Sequence, residues 1–335
     1  MTKEQLQDEG RNLVKRLFLR LGVLPLLLVG ALVIFSLLSD QFLTEQNLVN
    51  LLRQSVYLIL VSLGQMLALV TGGFDLSVGT ILAITSVVSA MVMSGMFAAD
   101  PDSVWLAVMV GSLCGIGAGA VIGLVNGIGV AVVGVSPFIM TLGIQSVGFG
   151  LALFLTDGVP VSGLPSEFGE SFGFGSVLGV PVPVLVTIVC TAVFYVLMNR
   201  TALGNYFLAV GGNMKAAALS GVNVKLTLLV AYLLCALLCS VSGILLTARL
   251  ESGESNIGGT IALESIAACV IAGVSLRGGI GRVENVVLGA IFIGLLQNGM
   301  NLASVGSYLQ MMVLGTLLIV AVIADQVRHR LIASG

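Results

Sequence analysis

Residues 103–156 read SVWLAVMVGSLCGIGAGAVIGLVNGIGVAVVGVSPFIMTLGIQSVGFGLALFLT, 54 residues without one charged side chain. A helix crosses the roughly 30 Å hydrocarbon layer with about 20 apolar residues. The run is therefore two spans, parted near Gly134, Ser136 and Pro137, because proline favours a helix start and cannot continue one. The strands of a membrane barrel would show alternating segments of about ten residues; these long apolar runs do not.

Outward from this stretch, charged residues bound the other spans. The pattern predicts ten helices near 21–39, 51–71, 77–97, 104–131, 136–156, 181–199, 226–248, 261–277, 285–302 and 308–325. The chain is thus expected to be an all-α integral membrane protein, one transmembrane domain over 1–335. It is expected to carry a cytoplasmic N-terminal segment 1–20, a cytoplasmic loop 200–225 and a cytoplasmic tail 326–335. Composition agrees: 57% of residues are hydrophobic and 9% charged, against about 25% charged in soluble domains. That excludes a water-soluble globule and a disordered chain. A net charge of −2 offers no basic face for nucleic acid. The 43 glycines suit helices that pack closely in lipid.

Lys and Arg gather on the cytoplasmic side of membrane proteins. With both termini in the cytoplasm and ten spans, only Arg53 and Arg249 of the 14 basic residues fall outside. The first uncharged run lacks an A-x-A site and reads as an uncleaved helix. Five cysteines lie inside spans without a C-x-x-C pair and read as small buried apolar residues. His329 reads as a solvated group of the tail.

Two segments recur. GTILAITSVVSAMVMSG at 79–95 matches GTIALESIAACVIAG at 259–273, and IGLVNGIGVAVVGVSPFIMTLG at 122–143 matches IGLLQNGMNLASVGSYLQMMVLG at 293–315. Asn126 then pairs with Asn298 and Gly143 with Gly315. The offset of five spans is odd, so the copies run oppositely through the membrane. A 5+5 inverted repeat is expected, the arrangement from which many transporters are built.

Polar groups within spans must meet a cavity or a neighbour. Gln65, Asp75, Asn126, Thr141, Gln145, Glu264 and Asn298 are the candidate translocation-path residues, with Gln297 and Asn301 beside them. Asp75, in TGGFDLSVG, equally suits a cap on the helix that restarts after the glycines, with Ser77 helping. Each amide equally suits an interhelical hydrogen bond. Amides and hydroxyls fit a neutral hydroxylated solute such as a sugar. Between spans six and seven, Asn213 is placed to cap a short helix over 214–220, with Gly221 at its end. Its small, nearly uncharged surface suits docking. There is no G-x-x-x-x-G-K-[ST] phosphate loop, so energy must come from a partner or an ion gradient.

GGFDLSVG at 72–79, AVGGNMKAAALSGVNV at 209–224, AACVIAGVSLRGGIG at 267–281 and VGSYLQMMV at 305–313 resemble hallmark segments of the permease subunits of bacterial ATP-binding-cassette sugar importers. The resemblance covers nearly the whole chain. Many members carry Glu-Leu-Asp where this chain has Ala262-Leu263-Glu264, and Gly-Ile-Asp where it has Gly73-Phe74-Asp75. The resemblance implies a multi-pass protein of the bacterial inner membrane, paired with a second permease subunit. Two cytoplasmic ATP-binding subunits and a periplasmic sugar-binding protein would complete it. It implies no enzyme and no cofactor in this chain, with ATP hydrolysed by the partner. It also carries an ATPase-coupling role onto Gly211, Gly212, Asn213, Ala216, Ala217, Ser220 and Gly221. The rival reading is a self-sufficient ion-coupled carrier using Asp75 or Glu264.

Overall fold

A computed structural model describes residues 24–333. The assignments made above for 1–20, and for the side chain of His329, lie outside the described residues. Twelve helices carry the fold: α1 (Leu24–Leu38), α2 (Glu45–Val70), α3 (Val78–Ala99), α4 (Val104–Ile128), α5 (Pro137–Thr156), α6 (Val182–Arg200), α7 (Ala202–Gly212), α8 (Met214–Leu219), α9 (Val224–Leu250), α10 (Ile261–Ile271), α11 (Val283–Leu302) and α12 (Ser307–Ala333).

Seven of them, α2, α3, α4 with its π-helical end to Val133, α5, α6, α9 and α11, are long and apolar enough to cross a membrane. Among the described residues, α1 and Ser307–Ile323 of α12 are apolar helices at two further expected spans, and α12 runs on through the expected tail to Ala333. One expected span differs. The helix expected over 261–277 stops at Ile271. Gly273 turns left-handed at φ +84°, and the N–H of Val274 closes back on the Cys269 carbonyl at 2.9 Å. At 1.5 Å per residue the 11 residues of α10 reach only about halfway across a bilayer.

The connector before α6 also departs from an all-helical chain. Ser176–Val177 and Val180–Pro181 pair as a small antiparallel hairpin, and Val161 bridges Gly253. It adds a cap and leaves the helical architecture intact.

α2 is the centre. Every residue from Ser55 to Thr71 is buried, as expected of a helix apolar on all sides. α9, α10, α11 and α6 pack around it. Peripheral α5 buries only Thr141, Gly148 and Ala152. The packing partners exchange in a regular way. α2 packs on α10 and α9 on α3; α3 on α4 and α10 on α11; α3 on α5 and α10 on α12; α4 on α9 and α11 on α2.

Glycine spacing explains how closely α4 is held. Gly111, Gly115, Gly119, Gly123 and Gly127 recur every fourth residue and are all buried. A Cβ at Gly115 would lie 2.8 Å from the Thr85 carbonyl of α3, and one at Gly123 would lie 3.0 Å from the Tyr232 carbonyl of α9. Backbone therefore meets backbone along the seam, the close approach small residues permit in lipid.

Candidate functional site

α2 ends because Thr71 and two glycines follow Val70. The N–H of Gly73 reaches the Ala68 carbonyl at 2.8 Å, and Gly72 sits at φ +85°. Residues 71–77 then cross the interior, and from Gly72 to Ser77 no N–H makes an α-helical hydrogen bond. Irregular backbone at such depth needs other partners. The Leu76 N–H donates to Thr141 Oγ1 at 3.1 Å, and Tyr232 OH donates to the Phe74 carbonyl at 3.3 Å. Gln65 donates from Nε2 to the Asp75 carbonyl at 2.8 Å and accepts from the Asp75 N–H at 3.3 Å.

Asp75 itself folds the turn. Its Oδ1 accepts from the Ser77 N–H at 2.9 Å and the Ser77 hydroxyl at 2.6 Å, an Asx-turn that launches α3. Asn126 Nδ2 donates to Ser77 Oγ at 2.7 Å. Asp75 Oδ2 and Asn126 Oδ1 have no partner among the described residues. Gln65, Asp75, Ser77, Asn126 and Thr141 are each wholly inaccessible. Four of the seven candidate path residues thus meet in one sealed cluster.

The other three lie elsewhere. Asn298 faces Asn47 in a reciprocal amide pair, 3.0 Å each way, which ties α11 to the start of α2. In this conformation Asn298 is a buried clamp and lines no opening. Gln145 is half-buried one turn beyond Thr141. Glu264 accepts from Thr260 Oγ1 at 2.7 Å and lines a cavity of 260 Å³ between α10, α11 and α12.

The segment 200–225 holds the second candidate surface. Asn213 Oδ1 accepts from the Ala216 N–H at 3.0 Å and caps α8. The N–H of Val222 returns to the Ala217 carbonyl at 3.1 Å, with Gly221 at φ +85°, the Schellman ending. Gly212, Asn213, Ala216, Ser220 and Gly221 are exposed. Ala217 is buried and Gly211 is not exposed, so these two of the seven coupling candidates face inward. The apolar tip is Leu219, 91% exposed. Sequence reasoning passed it over, although it lies one turn after Lys215 on a helix with no other large apolar residue but Met214.

Gly211 has a different task. The Gly279 N–H donates to the Val70 carbonyl at 2.8 Å, and a Cβ on Gly211 would fall onto that bond, 2.7 Å from the Gly279 nitrogen. A Cβ on Gly278 would lie 2.8 Å from the Gly211 carbonyl and 3.0 Å from the Gly72 nitrogen. Three backbones, from the end of α2, the end of α7 and the 278–279 turn, form one joint. It holds the end of α7 against the start of the 71–77 crossing.

A model of the family described as "Branched-chain amino acid transport system / permease component" matches residues 47–322, the central helices, the crossing and α8 together. The chain belongs to this family of transport permeases. It is 38% identical over 330 residues to the ribose import permease protein of Bacillus subtilis, covering 97% of this chain and 99% of that one. The D-allose transport system permease protein of Escherichia coli is 35% identical over 305 residues, 91% of each chain. The galactose/methyl galactoside import permease protein of Salmonella typhimurium is 36% identical over 314 residues, 91% of this chain and 93% of that one. No solved structure matches the chain. Of the residues that build this permease's crossing, Tyr232 was missed by sequence reasoning; a lone tyrosine in the apolar run of α9 was the available signal.

Proposed function

We propose that this chain is the membrane permease of an ATP-driven importer that brings a monosaccharide or similar small polyol across the bacterial inner membrane. The similarity to three sugar import permeases over nine-tenths of the chain carries this reading. A second permease subunit, two cytoplasmic ATP-binding subunits and a periplasmic sugar-binding protein complete the assembly. The chain itself binds no cofactor; ATP is hydrolysed by the partner.

The geometry supplies a route for force. The exposed apolar face of α8, with Leu219 at its tip, is the docking knob for the ATPase, and Gly212, Asn213, Ala216, Ser220 and Gly221 frame it. Gly211 and Ala217 hold it from within. Movement of α7–α8 passes through the Gly211–Gly279–Val70 joint to the crossing at 71–77. We read Gln65, Asp75, Asn126 and Thr141 as the clasp that keeps that crossing closed, and Asn298 as part of the frame. Ten membrane helices in a 5+5 inverted repeat with cytoplasmic termini remain our reading. The exchange of packing partners between α2–α5 and α9–α12 supports it, as does the approach of Gly258 to Gly79, neighbours of equivalent repeat positions. α10 is the shorter counterpart of α3, and the non-helical residues 272–277 complete its crossing. An ion-coupled carrier is not favoured: Asp75 is sealed and committed to a turn.

The test is uptake of radiolabelled ribose, allose and galactose into proteoliposomes holding the chain with its ATPase, binding protein external. ATP-dependent uptake is expected, and Leu219→Asp should lose the ATPase while remaining folded. Accumulation of sugar by the chain alone, driven by an ion gradient, would overturn the proposal.

A further inference from the structure

The cavity between α10, the end of α11 and the start of α12 holds polar atoms that the fold leaves unused. At 260 Å³ it is smaller than the roughly 300–1,000 Å³ clefts that take drug-sized ligands. Glu264 accepts from Thr260 on Oε1 alone, which leaves Oε2 open. Gln310 commits both protons of Nε2, to Asn301 Oδ1 and to the Val305 carbonyl, each at 2.8 Å. Its amide is therefore held in one orientation, with Oε1 free to accept. Gln297 makes no hydrogen bond among the described residues, so its amide offers both a donor and an acceptor. Leu314 and Leu318 line the cavity as well, and Leu318 also packs against the core that contains Leu76 and Val78, the far edge of the 71–77 crossing.

This lining discriminates between solutes. Hydroxyl groups donate to the carboxylate and amide oxygens, and the C–H face of a ring covers leucine. An amino acid would bring a carboxylate. Glu264 would attract its ammonium, but no Lys or Arg lines the cavity to receive the carboxylate. The sealed Asp75 cluster offers no comparable access.

We infer that this cavity is the station where the solute rests within the permease, with Glu264, Gln297 and Gln310 as its hydrogen-bonding residues, and that it admits neutral polyhydroxylated solutes. The inference rests on the importer reading above.

The test uses the complete transporter in proteoliposomes, with ribose, galactose and leucine as probes and sugar moved per ATP hydrolysed as the readout. Glu264→Gln keeps the shape and removes the charge; Gln297→Leu removes an amide on which no other residue depends. A charge-assisted hydrogen bond is stronger than a neutral one, so Glu264→Gln should lower ribose or galactose moved per ATP about tenfold, and Gln297→Leu should lower it less. Unchanged sugar per ATP in both variants would overturn the station while wild-type import upheld the importer. Equal falls in transport and ATP hydrolysis would mark a structural role and overturn it too. Wild type that carries leucine and no sugar would refute the sugar reading itself.

Discussion

Gly211→Ala should break the joint between the docking knob and the crossing, and Gly212→Ala beside it should not. A Cβ on Gly211 would stand 2.7 Å from the Gly279 nitrogen, where ordinary contact begins at 3.4 Å. About 0.7 Å of separation must therefore open, and the Val70 carbonyl lies closer still. Overpacking of this kind costs about 1–3 kcal/mol. The intruding methyl also parts the 2.8 Å bond from Gly279 to Val70; leaving such a pair unsatisfied costs about 1–3 kcal/mol more. Alanine returns up to about 1 kcal/mol of helix propensity. The net loss is about 1–6 kcal/mol. No atom lies within 4 Å of a Cβ on Gly212, so that variant keeps only the propensity gain. The assay is twofold: the fraction of monodisperse protein after heating in detergent, and ATP-driven uptake in the assembled transporter. Gly211→Ala should fall in both, and Gly212→Ala should hold in the heating assay. Equal behaviour of the two variants on heating would refute the joint.

Asn47→Leu and Asn298→Leu should each destabilise by about 1–3 kcal/mol, since each strands a buried amide; the double variant should lose less than the sum, read by the same heating assay. Asp75→Asn keeps an acceptor for Ser77 and should sustain uptake, whereas Asp75→Leu removes the turn and should not assemble; a well-folded Asp75→Asn without uptake would assign the carboxylate a task beyond the turn. Gly115→Ala, aimed at the Thr85 carbonyl 2.8 Å away, should cost about 1–3 kcal/mol, while Gly117→Ala, with nothing within 4 Å, should be silent.

Much of this architecture is readable in one dimension. The helix expected over 226–248 is found at Val224–Leu250, because apolar length and flanking charge act locally. Gln65, Asp75, Asn126 and Thr141 stand out for the same reason that they meet: a polar group in an apolar segment must find another. The early end of α10 is hidden because apolar residues continue to Leu276, and only the left-handed Gly273 and the docking of 278–279 on Val70 stop the helix. Asn298 resembled a path residue because its partner, Asn47, lies 251 positions away. Gly211 and Gly212 are adjacent and chemically identical. Only the neighbouring backbones give one a structural duty and leave the other on the surface. The four-residue rhythm of the α4 glycines was present in the sequence and passed over within an overall glycine excess.

That rhythm has a mechanical consequence. Where leucines interdigitate, one helix moves along another only by lifting each knob from its hole. On its inner side α4 offers notches in place of knobs, and Met93, Ser240 and Ala236 reach into those left by Gly111, Gly119 and Gly123. Such a contact resists both separation and axial creep. The half of the molecule built on α4 is therefore keyed to α3 and α9 and moves with them as one body.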